Sequence, residues 1–93
     1  MSVRITHVRY GSTSKTHESI VRYKWIGIEN GKVDDTDKPS MIKWIDVDKG
    51  KAFVGTGASQ VSVGVVKPAS GQPYLRTYSD KQWTNNLLSL PTF

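Results

Sequence analysis

Ninety-three residues carrying thirteen Lys or Arg against eight Asp or Glu describe one small basic domain, too short for a second core. The absence of cysteine excludes disulfides, thiolate zinc sites and a thiol nucleophile. No apolar run is long enough for a signal peptide or a membrane helix, so the chain is expected to be soluble and cytoplasmic, with no membrane partner.

In chain order, Val3 to Tyr10 alternates as a strand does, with Val3, Ile5, His7 and Arg9 on one face and Arg4, Thr6, Val8 and Tyr10 on the other. Gly11 to Thr16 is rich in Gly, Ser and Thr and reads as a flexible connection. Ile20 to Ile28 is a second strand, whose Val21, Tyr23 and Trp25 are expected to face the core. Its other face mixes Ile20, Arg22, Lys24 and Ile26, the pattern of an edge, an interface or a ligand surface. Asn30-Gly31 marks a turn, because this pair readily supplies positive φ.

From Asp34 the period changes. Thr36 or Asp37 can cap a helix with Pro39 in its first turn, and Met41, Trp44, Ile45 and Asp48 then fall at helical spacing. The predicted helix runs from near Asp37 to Lys49, about three turns, and Gly50 is placed to stop it. Ala52-Phe53-Val54 is a short strand, and Val61, Val63 and Val65 alternate with smaller residues in another. Pro68 to Pro73 is a turn. Tyr74 to Tyr78 is the last clear strand, with Trp83 continuing a hairpin beyond Asp80-Lys81, and the chain closes on Leu87, Leu88 and Leu90.

This order predicts a single α+β domain, with one helix packed across a mostly antiparallel sheet of about five strands in the order β-β-α-β-β-β. Tyr23, Trp25, Trp44, Ile45, Phe53, Val63 and Leu75 are the expected core. So small a core leaves much apolar surface outside, and a homodimer would add buried area.

The segments Arg4-Ile5-Thr6-His7-Val8-Arg9, Gly50-Lys51-Ala52-Phe53-Val54, Val65-Val66-Lys67-Pro68-Ala69-Ser70-Gly71, Tyr74-Leu75-Arg76-Thr77 and Asn86-Leu87-Leu88-Ser89-Leu90-Pro91, with His17-Glu18 before the second strand, together span nearly the whole chain. In this order they resemble a family of small bacterial proteins classed as a domain of unknown function. The resemblance implies a compact stand-alone domain and brings no activity with it. The chain departs from the family pattern at Ser19, where a second histidine would follow His17-Glu18, at Lys81 in place of a turn glycine, and at Asn85 in place of an aspartate.

Charge is unevenly spread. Residues 1–32 sum to +4, 33–66 to −1 and 67–93 to +2, so the two ends carry the positive field that favours anionic partners. Tyr74, Arg76 and Tyr78 share a strand face by period two. A guanidinium between flat rings can hold phosphate while the rings, joined by Trp83, stack on bases; facing inward, the same three residues would be packing above a thin Leu75/Thr77 face. Arg4, Arg22 and Lys24 become neighbours if the first two strands pair, forming either a cationic surface or an ordinary solvated sheet face.

The remaining chemistry is sparse. His7, His17 and Glu18 do not reach the three protein ligands of a catalytic zinc site or an oriented acid–base pair. Asp34, Asp35 and Asp37 suit a helix N-terminus, and the glycines match neither the phosphate-loop nor the dinucleotide fingerprint, so no cofactor is expected. The expected function is a non-enzymatic binding module for an anionic partner, a nucleic acid or a nucleotide, through Arg4, Arg22, Lys24, Tyr74, Arg76, Tyr78 and Trp83. The alternative is a protein-interaction or inhibitor protein of accessory or phage type, acting by self-association or by blocking a partner protein.

Overall fold

The computed structural model describes residues 2–79 and 82–93. Seven strands form in chain order: β1 (Ser2–Tyr10), β2 (Ile20–Gly27), β3 (Val33–Asp37), β4 (Lys51–Val54), β5 (Val61–Val66), β6 (Tyr74–Ser79) and β7 (Gln82–Thr84). The one α-helix among the described residues, α1 (Lys38–Asp46), lies between β3 and β4. The strands make a single sheet in the order β3-β2-β1-β4-β5-β6-β7, antiparallel at every junction except the parallel pair of β1 and β4.

That parallel pair explains the helix. Parallel neighbours cannot be joined by a tight turn. The chain runs outward through β2 and β3 to one edge, and α1 then carries it back over the core face to set β4 on the free side of β1. On the way α1 touches β2, β3, β5 and β6.

The α+β class with one helix and a mostly antiparallel sheet holds, but among the described residues there are seven strands where about five are expected. Of the two additional strands, β7 is the hairpin arm expected at Trp83, and the one absent from the expectation is β3, whose sequence Val33-Asp34-Asp35-Thr36-Asp37 is poor in strand formers. It forms because it pairs with β2, bringing Asp35 opposite Lys24 and Asp37 opposite Arg22, and cross-strand charge pairs offset weak propensity. Trp83 does extend the β6 hairpin as β7, while the turn expected at Asp80-Lys81 lies outside the described residues.

Two bulges correct the expected faces of the first hairpin. Ile5 pairs with Trp25 and His7 with Lys24, so Thr6 is an extra residue; Arg9 pairs with Arg22 and Tyr10 with Ile20, so Val21 is another. Each bulge flips the alternation. Val8 therefore joins Val3 and Ile5 in the core while His7 and Arg9 turn to the opposite face, and Ile20 is buried while Val21 is exposed. The 3-10 turn at His17–Ser19, in the connection between β1 and β2, packs on β6, three strands from β1 in the sheet.

The core consists of Val3, Ile5, Val8, Ile20, Tyr23, Trp25, Met41, Ala52, Val54, Val63, Leu75 and Leu87. Tyr23, Trp25, Val63 and Leu75 are where they were expected, and Trp44 and Ile45 pack partly buried against them. Phe53 is not in this cluster: Ala52 and Val54 on either side of it point inward, so it faces away.

The helix is shorter than predicted. The Asp37 carboxylate accepts from the Ser40 backbone N–H at 2.9 Å and Pro39 sits in the first turn, as the capping signal implies. After Val47 the left-handed residue is Lys49, at φ 58°, not Gly50. Gly50 serves a different need: a Cβ there would stand 2.1 Å from Cε2 of Trp44, so the indole lies against bare backbone. At the C-terminus, the Val8 N–H donates to Pro91 O and the Phe93 N–H to Val8 O, taking the flank of β1 that short β4 leaves unpaired.

Candidate functional site

The sheet has one face under α1 and one open face. Reading the register across the open face gives a continuous row, one residue from each strand: Val33, Ile26, Arg4, Phe53, Ser62, Tyr78 and Trp83, each the direct partner of the next. Adjacent strands lie ~4.8 Å apart, so Arg4 and Trp83, four strands from each other, are separated by roughly 19 Å along the sheet. No short-range pattern could announce this row, because its members come from seven separate segments.

Its far end is aromatic. The rings of Tyr78 and Trp83 meet edge to face with centroids 5.1 Å apart, and the two residues remain 40% and 42% exposed. Trp83 reaches past β6 to lie over Gly64 of β5, where a Cβ would stand 3.1 Å from the indole Cη2. A shallow hollow of about 470 Å³ is lined here by Ser62, Val63, Gly64, Tyr78 and Trp83. Its aromatic walls and adjoining hydroxyl suit a flat polar ring.

The expected cations fare differently from one another. Arg4 sits in the row between Ile26 and Phe53, with no ion pair among the described residues. Lys24 lies between His7 and Asp35. Arg22 is bound to the Asp35 carboxylate through Nε and Nη2, and it also helps to hold the Asp37 carboxyl below the usual range, after the larger effect of the Ser40 hydrogen bonds. Its charge is therefore largely neutralised within the fold. Arg9, not expected at the site, is brought to this face by the Thr6 bulge; its guanidinium lies 4.5 Å from the Phe93 ring centroid and donates to Phe93 O.

Arg76 and Tyr74 are occupied with structure. Leu75 and Thr77 are fully buried, which turns Tyr74, Arg76 and Tyr78 out of the core and settles their alternation. Arg76 Nε donates to Thr84 O and Nη2 to Asn85 Oδ1, each at 3.0 Å, so its fork ties β6 to the residues after β7. Tyr74 stacks on the ring of His17, centroids 6.1 Å apart. Of the seven expected residues, Arg4, Tyr78 and Trp83 share the row, Lys24 adjoins it, and Arg22, Tyr74 and Arg76 are engaged by other groups.

His17 is buried, and its Nε2 meets no hydrogen-bond partner among the described residues. Burial lowers its pKa and the Arg76 charge lowers it further, against an opposing effect of Glu18, so the ring is held neutral. Among the described residues no three His, Cys, Asp or Glu side chains gather as a metal site would require. No helix among them is long and apolar enough to cross a membrane.

Phe53, Ser62 and Gly64 are the site residues that sequence reasoning passed over. The signals were present: Phe53 alternates with two smaller apolar residues, and Gly64 interrupts a run of valines.

No curated protein and no solved structure matches the chain. The sequence model of a family described as a protein of unknown function, DUF3892, matches residues 4–91. Nearly the whole folded domain, from the arginine of the row to Pro91, whose carbonyl accepts from Val8, thus falls within the match, and the chain belongs to the DUF3892 family.

Proposed function

We propose that the open sheet face binds single-stranded nucleic acid, with bases stacking on Tyr78 and Trp83 and phosphates meeting Arg4 and Lys24. The observation that carries this reading is the row in which an arginine with no ion pair among the described residues and an exposed aromatic pair are held on one sheet face. Every base offers a π-face, so stacking on such a platform tolerates sequence, and cations beside it follow the backbone. The net charge of +5 adds general attraction to a polyanion. In this role the protein acts by binding and carries out no bond chemistry.

The test is a titration of fluorescent single-stranded DNA and RNA oligonucleotides, with a mononucleotide panel alongside, at two salt concentrations. Affinity is expected to fall with salt with a slope of about 0.7 per neutralised phosphate, and Arg4→Ala to lower that slope by about one. Trp83→Ala is expected to weaken binding at both salts by ~1–3 kcal/mol, the stacking contribution of a base. Binding of mononucleotides with equal affinity would point to a nucleotide site in the Tyr78–Trp83 hollow. No binding of either at low salt would turn the choice to the protein-interaction alternative.

A further inference from the structure

Another concavity lies on the opposite face of the sheet and has a different chemistry. Val3 of β1, Trp25 of β2, Thr36 of β3, and Met41 and Trp44 of α1 line a half-open cavity of about 230 Å³. Four of the five are apolar, two are indoles, and none is charged. The wall is also held in place. Trp25 Nε1 donates to Thr36 Oγ1 at 3.0 Å, Gly50 backbone supports the Trp44 ring, and Val3 and Met41 are buried.

We infer that this cavity is a binding site for a small, neutral, single-ring aromatic molecule carrying one hydrogen-bond acceptor. Volume sets the upper limit: drug-sized ligands occupy about 300–1,000 Å³, whereas an apolar cavity of about 150 Å³ already takes benzene. A single substituted ring fits between these limits, and a fused nucleobase with its sugar does not. Lining chemistry excludes ions, since neither a charged side chain nor a ring of polar groups stands ready to replace water. Two indoles and a flexible methionine in one lining favour an aromatic guest through edge-to-face and sulfur–ring contacts.

Thr36 supplies the one polar handle. Its oxygen accepts from Trp25 and its own hydroxyl hydrogen remains to donate, so the guest is expected to offer a carbonyl oxygen or ring nitrogen to it. The site is independent of the open face: it is formed by the core side of β1, β2 and β3 together with α1, and shares no residue with the row.

The probes for the test are 4-fluoroacetophenone, which has an acceptor, and 4-fluorotoluene, which has none. Saturable broadening of the fluorine NMR signal of 4-fluoroacetophenone is expected, with nuclear Overhauser contacts from its ring protons to the Met41 methyl and the Trp25 and Trp44 indoles. Thr36→Val is expected to lower the affinity for 4-fluoroacetophenone by about fivefold while leaving 4-fluorotoluene within about twofold. Val3→Phe, verified as folded by circular dichroism, is expected to abolish both signals by filling the space.

Absence of saturable binding up to the solubility limit of 4-fluoroacetophenone would overturn the inference. So would Overhauser contacts to other residues, which are read on the wild type and need no variant to fold. An equal loss of both probes in Thr36→Val would overturn the assigned ligand class, because the hydroxyl would then contribute only to the wall.

Discussion

Trp83 and Gly64 are fitted to one another across two strands: the indole occupies the space that a side chain at position 64 would take, with Cη2 3.1 Å from the Cβ site. Gly64→Ala would ask Trp83 to move by only a few tenths of an ångström, whereas Gly64→Val must push it off the sheet. Because valine suits a strand better than glycine, Gly64→Val is expected to keep stability within ~1 kcal/mol of wild type. The Tyr78–Trp83 exciton signal in circular dichroism should be lost, and oligonucleotide binding should fall with it. Retention of that signal would show that the indole finds the same position without the glycine.

The Tyr23 hydroxyl is buried with no hydrogen-bond partner among the described residues, and burial pushes its pKa well above the usual phenol value. An unsatisfied buried polar group costs stability, so removing it at constant shape should be neutral or favourable. Tyr23→Phe is expected to raise stability by up to ~1 kcal/mol. Urea denaturation at pH 7 reads this directly, and a clear loss would reveal a partner for the hydroxyl in solution.

His17 gives the fold a predictable response to acid. Its folded-state pKa is lowered from 6.5, first by burial and then by Arg76, so between the lowered value and 6.5 the unfolded chain binds more protons than the folded one. The contribution is fully present above 6.5 and is lost as the pH falls toward the folded-state value. Urea midpoints measured from about pH 7.5 to about pH 5 should decline, and the decline should be shallower in His17→Gln. An identical slope in the variant would assign the acid sensitivity to other groups.

Leu87 and Phe53 separate the two faces energetically. Leu87 is fully buried, and truncating it leaves a cavity, so Leu87→Ala is expected to cost ~2–5 kcal/mol, a large part of the total stability of a domain this size. Phe53 lies on the open face between Arg4 and Ser62. Phe53→Ala should cost less than about 2 kcal/mol, because most of what it loses is already partly in water. Denaturation of the two variants side by side checks the assignment of Phe53 to the open face, and equal losses would place it in the core.

Much of the local structure is legible in the residues themselves. Valines at 61, 63 and 65 and the alternation from Tyr74 to Tyr78 mark β5 and β6 because side chains leave a strand with period two. Asp37 and Pro39 mark the start of α1, since a carboxylate can satisfy a free helix N–H and proline lacks the donor that would go unpaired. Asn30-Gly31 marks the hairpin turn, with Gly31 at φ 71°. Arg4, Tyr78 and Trp83 stand out as groups able to meet phosphate and bases wherever they fall.

What tertiary structure decided is how those pieces face one another. Alternation assumes that every residue pairs, and the unpaired Thr6 and Val21 shift Val8 and Ile20 inward and His7 and Arg9 outward without any change in local composition. Three aspartates conceal β3, which becomes a strand only because β2 offers an unpaired edge and two cations. The parallel pairing of β1 and β4 requires contact between segments about fifty residues apart, bridged by α1. From that pairing come both the row that joins Arg4 to Trp83 and the cavity beneath Trp44, because register between distant strands is set by backbone hydrogen bonding and by the burial of a shared core, neither of which is written in any single segment.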